Sequence, residues 1–309
     1  MLNTQSMEKT ITNKSGAAAS GQASPLIRIL RRLWRSKTGT IGAIIVLAVI
    51  VLAIFAPWIA PHDPAKQDYS AMFLPPSWTE AGRAEYFLGT DNLGRDILSR
   101  IIYGTRISLI VGIVSVMLAG IIGMVIGLIA GFFGGVLDAV FMRLVDAFLS
   151  IPSILFALVL LAVTGPGVIT LVAALGLTNW VIYARLVRGE VLSIRERDYV
   201  KAARSIGVKD AAIITRHILP NVFSSFIVVS ALTVATTIIS EASLSFLGLG
   251  IQPPTVSWGV MLSDGRNYLA TSWWIATFPG IAITITVLGI MFLGDWLRDV
   301  LDPRSQTNR

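Results

Sequence analysis

Six stretches of this chain are long and apolar enough to cross a lipid bilayer, and they constrain its fold more than any other feature. They cover residues 40–60, 107–131, 140–162, 168–187, 221–241 and 277–297. Inside a bilayer every backbone polar group needs a partner within the protein, so only helices of about 20 apolar residues or closed barrels can span it. Because the runs have the length of helices, the sequence predicts an all-α integral membrane protein with six transmembrane helices.

The composition agrees with this prediction and excludes several classes of protein. The chain is 54% hydrophobic and 14% charged with a mean hydropathy of +0.73, which leaves too little polar surface for a soluble protein of 309 residues. The absence of cysteine excludes disulfides and thiol catalysis, and two histidines, His62 and His217, are too few for most zinc sites. We expect no metal, no cofactor and no catalytic residue on this chain.

Lysine and arginine are unequally distributed between alternate connections. Seven precede the first span, eight lie within 185–216 and three lie from 298 onward, whereas one lies within 242–276. Basic residues accumulate on the cytoplasmic side of membrane proteins, which predicts that both termini are cytoplasmic. Since these residues alternate with apolar spans, the net charge of +7 indicates orientation and not nucleic-acid binding.

The predicted organisation follows from the spans and this orientation. It comprises a disordered cytoplasmic tail at 1–24, a basic cytoplasmic segment at 25–39, the first span at 40–60, an external loop at 61–106, a core domain at 107–298 with five spans and a coupling loop at 189–220, and a cytoplasmic tail at 299–309. The first tail is poor in large apolar residues and is not expected to fold alone. The first span also has features of a signal peptide, but its apolar run is too long for one, which favours an uncleaved anchor.

The second span carries a pattern typical of close helix packing. Gly123, Gly127 and Gly131 recur at every fourth position and therefore share one helix face. This pattern predicts a tightly packed bundle and says nothing about the substrate.

Ionisable residues are confined to the ends of the predicted spans. They are Asp138, Arg143, Asp146, Glu241 and Asp295. Proton relays need such groups at depth in the membrane, so we expect none here. Arg143 and Asp146 stand three residues apart on one helix and are expected to form a structural ion pair.

The chain has no ATP-binding loop of its own. The segment 89–96 approaches the glycine spacing of a phosphate-binding loop, but Arg95 and Asp96 occupy the positions of the lysine and the hydroxyl residue. Neither histidine has an identifiable nucleophile as partner. A transporter with these spans therefore takes its energy from a partner ATPase or from an ion gradient, and an enzyme is not indicated.

The loop before the fifth span contains a short amphipathic helix. Its apolar residues are Tyr199, Ala202, Ala203 and Ile206, which recur at i, i+3, i+4 and i+7 and form one face. Gly207 then interrupts the helix, and a second stretch leads to Pro220, which is expected to end the loop. Periodicity alone leaves two interpretations open, docking into a groove on a partner or contact with lipid headgroups.

The residues of this loop resemble a known signature. YVKAARSIGVKDAAIITRHILPN is similar to the EAA loop, which forms the coupling helix of importer-type ATP-binding-cassette (ABC) permeases. Ala202, Ala203, Gly207, Leu219 and Pro220 match the signature, whereas Lys201 replaces its glutamate and His217 its isoleucine.

Further stretches resemble the C-type permease subunits of dipeptide and oligopeptide ABC importers. They are FLGTDNLGRDILSRIIYGTRISLIVG from Phe87 to Gly112, SEASLSFLGLGIQPPTVSWGVMLSDG from Ser240 to Gly265, and the ending LRDVLDPR. The resemblance covers nearly the whole chain after residue 25. It implies the importer-type permease fold and a location in the bacterial cytoplasmic (inner) membrane.

The resemblance also implies partners and roles. The partners are a homologous second permease in a heterodimer, two cytoplasmic ATPases that carry ATP and Mg, and an extracytoplasmic substrate-binding protein. The expected ATPase-coupling residues are Tyr199, Ala202, Ala203, Ser205, Gly207, Leu219 and Pro220. The candidates for the external loop and gate are Gly89, Asp91, Gly94, Arg95, Asp96, Pro253 and Trp258, for which tight turns and packing are the alternative role.

Two kinds of alternative to peptide import by such a complex stay open from the sequence. Similar permeases import nickel chelates, glutathione or other small solutes. A sodium-coupled secondary transporter or a membrane-embedded receptor, either of which works without ATPases, is the alternative from another class. The spans lack paired interruptions in two halves, and the EAA-like loop has no role in such a transporter.

Overall fold

The computed structural model describes residues 31–301, and this part of the chain is helical apart from turns and loops. The predicted tail at 1–24 lies outside the described residues, as do 25–30 and 302–309. The helices are α1 (Lys37–Ile54), α2 (Ala56–Ile59), α3 (Ile97–Phe133), α4 (Gly135–Leu149), α5 (Ser153–Thr164), α6 (Val168–Arg195), α7 (Asp198–Ser205), α8 (Asp210–Ile213), α9 (Leu219–Phe246), α10 (Trp258–Gly265) and α11 (Trp274–Leu301). Within this part, strand-like pairing is limited to one bridge between Thr90 and Asp96.

Five helical segments are long and apolar enough to cross a membrane. They are α1, α3, α6, the continuous run from α8 through α9, and α11. The sixth predicted span, at 140–162, is the pair α4 and α5, which is bent by 84°. The all-α membrane fold is thus confirmed. The number of spans within residues 31–301 is five, or six if the bent pair is counted as one span.

Helix α3 begins ten residues before the second predicted span, so the external loop predicted for 61–106 ends at Asp96. The Asp96 side chain caps the helix by accepting a hydrogen bond from the Ser99 amide at 2.8 Å. Polar residues in this first part, such as Arg100, lower its hydropathy but are buried against other segments. With 37 residues α3 is about 55 Å long, well beyond the roughly 30 Å of a bilayer core.

Glycines allow the long helices to approach closely. A Cβ atom on Gly123 would lie 2.5 Å from the Trp180 carbonyl oxygen, and one on Gly127 would lie 2.7 Å from that of Ala184. A Cβ on Gly131 would lie 2.8 Å from the Val191 side chain. The three glycines of the predicted packing face therefore lie directly against α6.

The first span packs on the last through a second set of small residues. A Cβ on Gly39 would lie 2.6 Å from the Trp296 ring, and one on Gly42 would lie 2.6 Å from the Leu293 amide nitrogen. Because α1 and α11 meet in this way, the N-terminal and C-terminal ends of the described chain lie side by side.

Candidate functional site

The predicted coupling loop folds as two short helices between α6 and α9. Helix α6 continues to Arg195, and α7 follows after a two-residue turn. Val200 and Ala203 of α7 are buried among side chains of α3, α6 and α9, which fixes the helix to the bundle. The predicted coupling loop at 189–220 is thus helical over most of its length.

The exposed side of α7 carries an apolar strip beside its charged residues. Tyr199 is 43% exposed and Ile206 is 80% exposed, and Ala202 between them is exposed too. The expected apolar face is therefore divided, since Ala203 points into the bundle while the other three members face outward. An apolar strip on an anchored helix outside the membrane spans is a surface that a partner can cover.

Gly207 ends α7 in a Schellman motif. Its φ angle is +79°, a conformation that favours glycine. The Gly207 amide donates to the Arg204 carbonyl and the Val208 amide to the Ala203 carbonyl, both at 3.1 Å. Gly207 and the neighbouring Ser205 are exposed, so this corner lies at the surface beside the apolar strip.

Pro220 does not end the loop, contrary to expectation. The helical run from Asp210 to Phe246 continues past it through a π-helical turn at Ile214–Ile218. The Leu219 amide donates to the Ile214 carbonyl, the five-residue spacing of a π turn. This wider turn accommodates the missing proline N–H, so Leu219 and Pro220 connect α8 rigidly to α9.

Charged side chains connect the end of α6 to the end of α3 and connect α7 to both. Arg195 donates to the Gly131 carbonyl at 2.8 Å, at the end of α3. The Arg204 guanidinium lies 5.1 Å from the centre of the Phe132 ring. Lys201, which replaces the signature glutamate, pairs with Glu196 at 3.0 Å, and this hydrogen bond lowers the pKa of Glu196.

The ion pair expected between Arg143 and Asp146 is not the one that forms. Asp146 pairs with Arg185 of α6, and Arg143 has no acidic partner within the described residues. One turn further along α6, Arg188 binds Asp138 with its Nη2 atom 2.7 Å from Oδ2. Both aspartates lie on α4, which packs against α6, so the pairs that form are interhelical.

On the opposite side of the bundle, Asp91 is the centre of a buried ion network. It accepts hydrogen bonds from Arg95 Nε at 2.7 Å and from Arg100 Nη1. Both arginines also bind Asp264 at the end of α10, at 3.1 and 3.0 Å. Asp91 is fully buried and Arg100 is 2% exposed, so the network joins the external loop, α3 and α10.

The remaining gate candidates of the external loop also have structural roles. Gly89 and Gly94 adopt φ angles of +82° and +71° in tight turns against the backbone of residues 68–75. Asp96 caps α3, and its Oδ2 lies 3.5 Å from His62 Nδ1. Gly89, Gly94 and Asp96 are buried, so their positions are explained by turns and by capping and not by access to a solute.

The second group of gate candidates lies around α10. Trp258 is 1% exposed and donates from Nε1 to the Ile101 carbonyl at 3.0 Å, which fixes α10 to α3. Pro253 is exposed in the connection between α9 and α10. Of the seven gate candidates, Pro253 is the one whose side chain faces outward.

Glu241 is the functional candidate that sequence reasoning missed. Its position near the end of a span gave no reason to select it, but it is fully buried. Its carboxyl group accepts hydrogen bonds from Ser108 at 3.3 Å and from Ser245 and Ser257 at 2.9 Å. The glutamate within a serine-rich motif was a signal, but the partners from α3 and the start of α10 depend on the tertiary fold. Among residues 31–301, no group of three or more His, Cys, Asp or Glu side chains is placed to hold a metal ion.

Comparisons with known proteins agree along nearly the whole chain. A family model described as the binding-protein-dependent transport system inner membrane component matches residues 123–307. Another, the N-terminal TM domain of oligopeptide transport permease C, matches residues 24–76. The chain is 45% identical over 294 residues to the dipeptide transport system permease protein DppC of Escherichia coli (strain K12), covering 95% of this chain and 98% of that protein.

Two further matches extend the comparison. The di/tripeptide transport system permease protein DppC of Pseudomonas aeruginosa (strain UCBPP-PA14) is 42% identical over 279 residues, 89% of this chain and 92% of that protein. An inward-facing structure of the MetNI methionine ABC transporter covers 67% of this chain and 98% of that chain, with a TM-score of 0.56 and 19% identity, which shows a shared fold. The chain therefore belongs to the family of inner-membrane components of binding-protein-dependent transport systems and is a multi-pass transport permease.

Proposed function

We propose that this chain is a permease subunit of an ABC importer of di- or oligopeptides and forms half of the translocation pathway. The observation that carries the peptide substrate is the 42–45% identity, over at least 89% of the chain, to permeases named for di- and tripeptide transport.

The proposed complex contains a homologous second permease, two ATPases that bind ATP and Mg, and an external binding protein. The family description supports a binding protein, and the fold shared with an ABC transporter supports the ATPases. Both termini are proposed to be cytoplasmic, because basic residues are concentrated beside them and in 185–216. A reporter active only in the cytoplasm, fused to either end, tests this orientation.

In this proposal the exposed strip of α7 docks into a groove on one ATPase. Tyr199, Ala202 and Ile206 provide the contact, and Gly207 allows the chain to turn away beside it. ATP binding draws the two ATPases together, and the docked helix carries that motion through Val200 and Ala203 into α6 and α9. The rigid π-helical junction then passes the displacement into a membrane span.

The experiment is co-purification followed by transport. The tagged chain, extracted in mild detergent with its partners and reconstituted in proteoliposomes, is expected to hydrolyse ATP and to take up a labelled dipeptide when the binding protein is present. Labelled glutathione and a nickel chelate test the other solutes. A chain that purifies alone, stable and without ATPase activity, contradicts the importer; uptake of another solute and not of peptide contradicts the substrate.

A matched pair of variants tests the docking surface. Ala202→Arg places a long charged side chain in the apolar strip without entering the bundle, and we expect uptake to fall at least tenfold because the ATPase no longer docks. Ala211→Arg changes an equally exposed alanine on the neighbouring α8 and is expected to leave uptake unchanged. Equal uptake by both variants at equal membrane levels would show that α7 is not the docking helix.

A further inference from the structure

The buried Glu241 joins three separate segments of the chain through hydroxyl groups. Ser108 belongs to α3, Ser245 to the last turn of α9, and Ser257 is the N-cap of α10. These three residues, called the serine cage here, are each at most 2% exposed. Within residues 31–301, Glu241 makes no ion pair with a basic side chain, so the serines are the groups that satisfy its carboxyl oxygens.

Each serine of the cage is itself fixed by the backbone. The Ser108 oxygen lies 3.5 Å from the Trp258 amide, the Ser245 oxygen accepts from the Ile251 amide at 3.2 Å, and the Ser257 oxygen accepts from the Val260 amide at 3.3 Å. A hydroxyl that accepts an N–H still has its hydrogen to donate. All three hydrogens can therefore point to the carboxyl group, which links the start of α10 and the segment before it to α3 and α9.

Helix α10 is consequently held at both ends. At its end, Asp264 binds Arg95 and Arg100, and near its start the Trp258 ring donates to the Ile101 carbonyl. Besides the connection at Glu241, the segment 247–257 is held by the apolar packing of Leu249, Ile251 and Val256, so the serine cage supplies its buried polar anchor. Buried polar networks of this kind act as a unit, since an unsatisfied member is expensive inside a protein.

We propose that Glu241 is a positioning residue of the external gate. By binding the serine cage, Glu241 makes α10 and the preceding segment 247–257 move with α3 and α9 as one rigid body. This inference rests on the proposed transport function, in which access to the external side alternates with access to the cytoplasm. Such switching depends on rigid bodies that rock against each other. A segment that loosened from α3 and α9 would leave the external side open in part of the cycle.

The central variant is Glu241→Gln, which keeps the shape of the side chain. An amide has one acceptor oxygen, and its nitrogen cannot accept a hydrogen bond from a serine hydroxyl. In either orientation of the amide, at least one serine must therefore turn its hydroxyl away and accept from the amide N–H instead, which disturbs the cage. Ser108→Ala removes a single link, and Ser115→Ala is its control, because Ser115 is equally buried on α3 but its hydroxyl makes no hydrogen bond.

The measurement is the distribution of distances between the segment 247–257 and α3 in the assembled complex. The chain contains no cysteine, so spin labels can be placed at Thr255→Cys before α10 and at Arg106→Cys on α3. We expect one narrow distribution without nucleotide and with trapped ATP. Glu241→Gln is expected to broaden it and to lower dipeptide uptake about tenfold, Ser108→Ala to have a smaller effect in the same direction, and Ser115→Ala to have none.

The outcomes separate this inference from the proposed function. If the distance distribution of Glu241→Gln is as narrow as that of the unmodified chain, the positioning role is overturned. This holds even if assembly or thermal stability falls, because such a fall shows a structural contribution alone. The second outcome is that Glu241→Gln broadens the distribution while the complex with the unmodified chain does not transport peptide. That result contradicts the proposed substrate and leaves the positioning role supported.

Discussion

Replacing Gly123 by alanine is the sharpest test of how the bundle is held together. The added Cβ would lie 2.5 Å from the Trp180 carbonyl oxygen and 2.8 Å from the Ala184 amide nitrogen, both of them backbone atoms of α6. Ordinary contact distances are about 3.5 Å or more, so α3 and α6 would have to separate by roughly 1 Å along the glycine face. Gly127 and Gly131 would lose contacts as well, since they lie on the same face.

The expected size of this effect follows from overpacking. Inserting a methyl group into a filled interface destabilises a protein by about 1–3 kcal/mol. Gly189→Ala is the matched control, because Gly189 lies on α6 with no atom within 4 Å of an added Cβ. In that position the change is expected to stabilise by about 0.5–1 kcal/mol through helix propensity. The free energies of unfolding of the two variants should therefore differ by about 1.5–4 kcal/mol, with one below and one above that of the unmodified chain.

The assay is thermal unfolding of the purified chain in one detergent, followed by tryptophan fluorescence. At about 2–4 °C per kcal/mol for a protein of this size, Gly123→Ala should lower the Tm by several degrees while Gly189→Ala raises it slightly. Equal Tm values for the two alanine variants would refute the close approach of α3 and α6 at Gly123.

Two further predictions concern charged and titratable groups. Arg188→Gln should destabilise the chain by about 1–3 kcal/mol, because it leaves the half-buried Asp138 without its partner. Arg143→Gln is the control and should have almost no effect. The measurement is the free energy of unfolding of each variant in detergent, and equal losses would contradict the pairing. Burial raises the pKa of Tyr86 above its usual 10.0, so the folded state favours the protonated phenol, and the associated stability is present below pH 10 and is lost as the pH rises through the folded pKa. The Tm of the unmodified chain should therefore fall more steeply above about pH 10 than that of Tyr86→Phe, and parallel curves would show that Tyr86 ionisation does not matter.

Hydropathy and motif resemblance identified the fold class and the family, because both depend on properties that survive without tertiary detail. A run of about 20 apolar residues indicates a membrane helix whatever packs against it. The same reasoning placed the start of α3 ten residues late, since Arg100 counts against membrane insertion but is neutralised by Asp91 and Asp264 in the fold. A local average of hydropathy cannot identify polar residues that are neutralised by partners in distant segments.

The candidate site was less predictable for the same reason. Periodicity located the apolar face of α7, but it did not distinguish Ala203, which packs inward, from Ala202, which faces outward, because both lie on that face. Spacing also suggested the pair Arg143 and Asp146 on one helix, whereas the packing of α4 against α6 brings Asp146 to Arg185. The cage around Glu241 combines residues more than 130 positions apart in the chain, which no local pattern can indicate.

The two ends of the bundle differ in how firmly they are built, and this difference fits alternating access. At the end proposed to be external, the loop before α3 is joined to α3 and α10 by the Asp91 ion network, and α3, α9 and α10 are joined by the serine cage; Asp91, Arg100 and the cage are buried. At the end proposed to be cytoplasmic, α7 is attached through Val200 and Ala203, through the contact of Arg204 with the Phe132 ring and through a few exposed charges. In its outer strip, the Tyr199 ring lies 6.0 Å from the His217 ring, measured between centroids. Exposed ion pairs contribute little, so the packing of Val200 and Ala203 and the Arg204–Phe132 contact hold α7 in place. A force applied to α7 would therefore pass through these few contacts into the buried core of α6 and α9, which can transmit it to the other end of the bundle.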